Sequence, residues 1–279
     1  MKRICALLLM GICLFILQQP VNAQYEKTLY QKQIKDKKAI PYPFLREADV
    51  MWSKQIWRVI DLREKMNHTL YYPTTKDVAD RLNLFELLLT KVKTGELEVY
   101  NGNDYSMSEV ITFEDIEKVF DAGAFTYKYT DPDTGEERDT TTYQEISSTE
   151  VKQYLVKEEW YFDKKHSMMK VRILGLCPIR IAVNRETQIL EKKRVFWVYF
   201  PEVRNTLANY EVFNRNNDAQ RISFDDLFLQ RRFSSYIVAE SNVYDNRQIS
   251  EYAIGKNALL ESESVKEWLF NFEHDLWEY

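Results

Sequence analysis

The side chains that most often carry chemistry are few and scattered in this chain. Its three histidines, His68, His166 and His274, each stand without a second histidine at metal-ligand spacing. In "FEHDLWEY", Glu273, His274 and Asp275 are consecutive. Three consecutive helical residues point in different directions, which favours a solvated helix end over a joint metal site. The stretch "DPDTGEE", Asp131 to Glu137, resembles part of a calcium loop but lacks the third ligand position before its glycine. A hairpin turn is the expectation there. Cys177 falls on the apolar stripe of a strand-like segment, as a buried thiol would and a nucleophile would not. The chain has no G-x-S-x-G, H-E-x-x-H, phosphate loop or G-x-G-x-x-G, and its seven glycines leave little material for a phosphate cradle. Nothing here points to an enzyme, and no catalytic residue, metal or cofactor is expected.

The elements that surround these residues begin with a leader. Lys2 and Arg3 precede the apolar run Ile4 to Leu17, and small residues follow at Val21 and Ala23. That order is a secretory signal peptide, with cleavage expected between Ala23 and Gln24; an uncleaved anchor is the alternative. Cys13 lies inside the apolar run after Ile12, so it is not a lipid-attachment site. Without residues 1–23 the chain keeps 36 of its 38 basic residues against 43 acidic ones, a formal charge of −7. An acidic balance of this size argues against nonspecific nucleic-acid binding. Only Cys177 remains of the three cysteines, so no intramolecular disulfide can form and the fold must rest on its core. No later segment is long and apolar enough to span a membrane.

The remainder divides into an extended arm (24–46), a helix-rich unit with a hairpin (47–148) and an antiparallel sheet with C-terminal helices (149–279). The arm is lysine-rich and ends in Pro-Tyr-Pro. It reads equally as a disordered leader or as a segment that docks on a partner. Helical spacing is expected at Ala48 to Met66 and at Thr75 to Lys93, the second ended by Thr94-Gly95. A hairpin is expected around "KYTDPDTGEERDTTTY". Strands follow in "VKQYLVKEEWYFD", "MMKVRILGLCPIRIAV" and "RVFWVYF", joined by connections too short for helical crossovers and therefore antiparallel. Helices return at "SFDDLFLQRRF" and at "SVKEWLFNFEHDL", the last starting at Ser264 with Glu267 three residues on. The fold class is α+β. An echo runs through the chain: "YYP", "EVYNGND" and "ITFEDI" are matched in order by "VYFP", "EVFNRNND" and "ISFDDL". An internal pseudo-repeat and chance reuse of turn and cap residues both account for it.

The chain is rich in aromatic residues, with 39 Phe, Trp and Tyr. Two tryptophans, Trp52 and Trp57, lie five residues apart in the first expected helix, about 140° apart on its wheel. Trp52 then centres an apolar face, while Trp57 falls beside Val50 and Asp61 on the polar side. Val50, Trp57 and Asp61 are the candidate partner-binding residues; cover of Trp57 by a second layer of the same chain is the other reading.

The stretches "LREADVMWSKQIWRVIDLREKMN", "EEWYFDKKHSMMKVRILGLCPI", "RISFDDLFLQRRFSSYIVAESN" and "ESESVKEWLFNFEHDLWEY" resemble the GldN/PorN family of gliding motility and type IX secretion in Bacteroidetes. The resemblance covers nearly the whole chain after the leader. It implies a periplasmic structural protein, without catalytic residues, that assembles into a ring with the outer-membrane lipoprotein GldK/PorK. The motor proteins GldL/PorL and GldM/PorM are the implied neighbours. An exported binding module or a hydrolase acting on glycan or peptide is the alternative function.

Overall fold

A computed structural model of the chain describes residues 37–75, 81–130, 137–183, 188–214, 217 and 222–276. The expected cleavage site at Ala23 and Gln24 and most of the calcium-like stretch lie outside these residues. In chain order the elements are β1 (Val50–Asp61), α1 (His68–Tyr71), α2 (Leu84–Lys93), β2 (Tyr100–Asn101), α3 (Phe113–Val119), β3 (Gly123–Thr130), β4 (Glu137–Gln144), β5 (Val151–Asp163) and β6 (Met168–Val183). They continue as β7 (Leu190–Arg194), β8 (Phe196–Tyr199), α4 (Phe200–Asn209), β9 (Glu211–Val212), β10 (Ile222–Ser223), α5 (Phe224–Leu229), β11 (Tyr236–Glu240), α6 (Ile249–Tyr252) and α7 (Lys256–Asp275). Seven strands form one sheet in the order β11-β1-β5-β6-β8-β2, with β7 also paired to β6. Every pairing in it is antiparallel. The fold is thus α+β, and a hairpin of β3 and β4 stands as a separate two-stranded ribbon.

The first expected helix is not one. Residues 50–61 form a strand that is paired on both sides, to β11 and to β5. Its last six residues, Ile56 to Asp61, are all buried. A strand with both faces covered loses the apolar-polar alternation that announces a half-exposed strand. Its Trp, Ile and Val positions at 52, 56, 59 and 60 also happen to satisfy a helical period. β-branched and aromatic residues are at home in such a position. β1 therefore joins the N-terminal part of the chain to the sheet formed by the C-terminal part.

β5 and β6 occupy the two expected stretches residue for residue. The turn between them is anchored by Asp163, whose carboxylate lies 2.6 Å from Lys170 Nζ and 2.6 Å from His166 Nδ1 and accepts the Lys165 N–H at 3.0 Å. The Lys170 ammonium holds the Asp163 carboxyl well below the usual carboxylate range, against the opposing effect of burial. Because the folded value lies below the unfolded one, the turn contributes stability above about pH 4 and loses it as the pH falls. Thermal melts from pH 7 to 2 should show this loss, and Asp163→Asn should melt lower at pH 7 with a shallower acid dependence.

One face of the sheet carries the main core. Phe85 from α2 packs on Phe120 and Phe196, with centroids 5.4 and 6.4 Å away, and Phe228 from α5 packs on Phe200 and Phe233 at 5.4 and 5.7 Å. Local signals place these helices. Asn83 caps α2 by accepting the Glu86 N–H at 2.8 Å, and Gly95, at φ +72°, lies just past its end. Capping boxes open α3 at Thr112 and Asp115, and α5 at Ser223 and Asp226. The two echoed stretches have the same order of elements. In the first, Tyr100 bridges Val110 ahead of the boxed α3; in the second, β9 pairs with β10 ahead of the boxed α5.

The opposite face carries a second cluster of Trp57, Val59, Leu155, Cys177, Ile179, Trp197 and Ala239. Tyr105 and Met107, in the segment after β2, lie over part of it. Gly175 allows their approach, since a Cβ there would meet Met107 Sδ and Trp197 Cε3 at 3.0 Å. Gly102 is needed for the same reason: its Cβ would lie 2.6 Å from the Arg194 carbonyl oxygen.

The last ten residues of the expected arm lie along the protein itself. Lys37 pairs with Asp226, the Ala39 N–H donates to Asn205 Oδ1 at 3.3 Å, and Arg172 Nη2 donates to the Pro43 carbonyl at 2.7 Å. Tyr42 stacks against the Arg204 guanidinium at 4.1 Å. The strap leaves Ile40 and Phe44 exposed.

Candidate functional site

The residues with the greatest chemical potential stay apart. His68, His166 and His274 belong to three separate places: beside the Arg63 carbonyl, in the β5–β6 turn, and near the end of α7. Among the described residues no group of three His, Cys, Asp or Glu could hold a metal ion. Cys177 is fully buried, and burial pushes its thiol up to about 12, so the reactive thiolate is suppressed at neutral pH.

The grouping of Val50, Trp57 and Asp61 rested on a helical wheel, and the strand dissolves it. Trp52 and Trp57, an odd number of residues apart, point to opposite faces of the sheet. Trp57 is only 2% exposed. Tyr105 meets it edge-on with centroids 5.8 Å apart, and the Lys157 ammonium lies 5.7 Å from its ring centroid. A second layer of the chain does cover it, formed by the segment after β2 and not by the arm. Asp61 is buried as well, accepting from Arg63 Nε at 2.9 Å and Gln153 Nε2 at 3.0 Å. Of the three residues only Val50 keeps partial exposure.

Trp52, by contrast, belongs to a half-exposed aromatic seam under α7. Its ring lies 4.8 Å from Phe272 and 5.8 Å from Trp268, which stack on each other at 5.4 Å. Lys54 reaches over Trp268 at 4.9 Å and pairs with Glu240 at 2.8 Å.

α7 begins at Lys256, eight residues before the expected Ser264. Its N-cap is Gly255, at φ +61°, a position that offers no side-chain signal to a sequence reading. Of its 20 residues only Ser262, Val265 and Leu269 are buried. This narrow stripe packs against β11 and β1, where the Ile237 N–H donates to Ser262 Oγ at 3.1 Å.

Large apolar side chains remain outside that stripe: Leu259 is 62% exposed, Leu260 68% and Phe270 65%. Leu259 and Phe270, eleven residues apart, fall within about 20° of each other and lie about 16 Å apart along the axis. Phe270 overhangs a groove of about 450 Å³ whose other walls include Arg58, Trp160 and Leu269. Glu263, Lys266, Glu267 and Glu273 rim it. Large exposed apolar side chains beside an apolar groove with a charged rim are the form of an interaction surface. Apolar residues off the buried helical stripe are the available sequence signal, but Leu259 and Leu260 precede the start that Ser264 and Glu267 announce.

Beneath the groove, Glu158 is completely buried between two guanidinium groups, 3.2 Å from Arg58 Nε and 2.9 Å from Arg231 Nη2. Trp160 lies within 5.7 Å of both cations. The network sets the floor of the groove by tying β1, β5 and the segment after α5 together.

No helix among the described residues is long and apolar enough to cross a membrane. The model of one protein family, described as gliding motility associated protein GldN, matches residues 45–278. No curated protein matches the chain.

Proposed function

The chain belongs to the GldN family of gliding-motility-associated proteins, and from that premise we propose that it is a non-catalytic structural subunit of the gliding and type IX secretion machinery. In this reading it is exported, loses residues 1–23, and assembles in the periplasm with an outer-membrane lipoprotein of the GldK/PorK type into a ring. The observation that carries the scaffold role is α7, which spends one narrow stripe on its own fold and presents Leu259, Leu260 and Phe270 outward. The groove beside Phe270 is of a size to take a partner's side chain, the arrangement that produces interface hot spots. The inner-membrane motor proteins are proposed neighbours, and contact between copies within the ring is part of the same reading.

The test is purification from cells that contain the lipoprotein. The protein should sediment with the outer membrane and come away with the lipoprotein as one high-mass annular particle. Phe270→Ser with Leu259→Ser should leave the melt of the isolated subunit within about 0.5 kcal/mol of wild type, as exposed substitutions do. The same pair should cut particle yield at least tenfold, a loss of about 1.4 kcal/mol or more. Particles formed normally by this variant would remove α7 from the interface. Recovery of the wild-type protein as a free monomer, or as a monomer turning over glycan or peptide, would overturn the scaffold reading itself.

A further inference from the structure

A cavity of about 700 Å³ opens over the second face of the sheet, between β7 and the α6–α7 segment. Its floor is apolar, with Val59, Leu155, Ile179 and Val238 from four strands. Lys192 and Arg194 stand together on one side, opposite Ile181 and Ile179 of this face, whereas Lys193, opposite Arg180, borders the cavity but turns to the other face. In a chain of formal charge −5, no acidic residue lines it among the described residues. Lys193 has an exposed pairing with Glu191 at 3.3 Å, while Lys192 has no ion pair among the described residues. Among the described residues Arg194 is held by neutral groups, donating to the Tyr105 hydroxyl and to Asn103 Oδ1. Gln248 Nε2 also donates to the Tyr105 hydroxyl, at 2.7 Å, so the two sides of the mouth are tied through one tyrosine. The charges of Lys192 and Arg194 are thus held beside an apolar chamber, and neither is paired with a carboxylate among the described residues.

We infer that this cavity binds one anionic single-chain amphiphile, its hydrocarbon chain on the sheet and its acidic head at Lys192 and Arg194. The volume is that of a small-molecule site. The floor distinguishes an acyl chain from a peptide. Val59, Leu155 and Ile179 each lie in a strand paired on both sides, so their backbone groups are already engaged in the sheet. Two of the polar lining residues are engaged as well: Gln153 donates to Asp61, and Ser262 accepts from Ile237. A peptide would carry amide groups into a chamber with little to bond them, which is costly, whereas an acyl chain carries none.

Titration calorimetry on the purified protein with sodium laurate, 1-dodecanol and dodecyltrimethylammonium chloride tests the inference. Laurate should bind saturably at one site per chain, dodecanol at least tenfold more weakly, and the cation not at all. Lys192→Glu, at an exposed position, should keep the wild-type melt and weaken laurate at least tenfold. Equal binding of laurate and dodecanol, unchanged laurate binding in the Lys192→Glu variant, or no saturable laurate site would overturn the inference. So would binding to anionic phospholipid vesicles without binding of laurate, which would point to a membrane surface. Capture of an acidic apolar peptide that laurate fails to displace would replace the acyl chain by a protein segment.

Discussion

Trp57→Ala should destabilise the isolated subunit by about 3–5 kcal/mol, the range for truncating a buried large aromatic. The indole is 2% exposed and packs with Val59, Leu155, Trp197 and Ala239 on the second face of the sheet. Alanine would leave a void beneath Tyr105 and remove the ring under Lys157. Trp57→Phe should recover much of the loss, because it restores a ring and discards an indole N–H that has no hydrogen-bond partner among the described residues. Trp52→Ala should do less damage than Trp57→Ala, since Trp52 is only half-buried in the seam with Trp268 and Phe272. Urea unfolding of the three variants measures the order directly. A Trp57→Ala protein as stable as wild type would mean that the second face of the sheet is not packed as described.

Asp225→Ala should cost a similar amount, about 3–5 kcal/mol, by leaving a buried guanidinium without its counter-ion. Arg204 and Asp225 form a paired contact, Nε to Oδ1 at 2.9 Å and Nη2 to Oδ2 at 3.2 Å, with both residues almost wholly buried between α4 and α5. The double variant Arg204→Met with Asp225→Leu should be much closer to wild type than Asp225→Ala, since neither residue then leaves a charge in the interior. The same denaturation series decides it. If Asp225→Ala and the double variant unfold together, the pair is not the buried ionic contact described.

What could be read from the sequence follows from how each element is covered. β5 and β6 were legible because charged positions interrupt their apolar ones at the spacing of a strand, and the short turn at Lys164 to Ser167 fixes their antiparallel pairing. The end of α2 was legible because Gly95 gives a local stop, whereas its start is at Leu84 and not at the expected Thr75, because the extended Asn83 caps it there. β1 was illegible because the information that makes it a strand is tertiary. Arg58 and Asp61 look solvent-facing in the sequence, yet both are buried with partners distant in the chain or across the sheet. The start of α7 was missed because a glycine with positive φ caps it, where the expected signal was a hydroxyl three residues before a glutamate. The cavity draws on residues from Val59 to Ser262, and no local pattern could assemble it.

The contact between Ser262 and the Ile237 N–H has a consequence for solubility. β11 is the outermost strand on its side, and such a strand offers free backbone groups to any other extended chain. α7 covers it and occupies one of those groups with a hydroxyl. A chain cut at Gly255, by proteolysis or a premature stop, would lose that cover while keeping the strand. Such a fragment should template intermolecular β-pairing and precipitate, so its failure to assemble would reflect aggregation through β11 before it reported on the outer face of the missing helix.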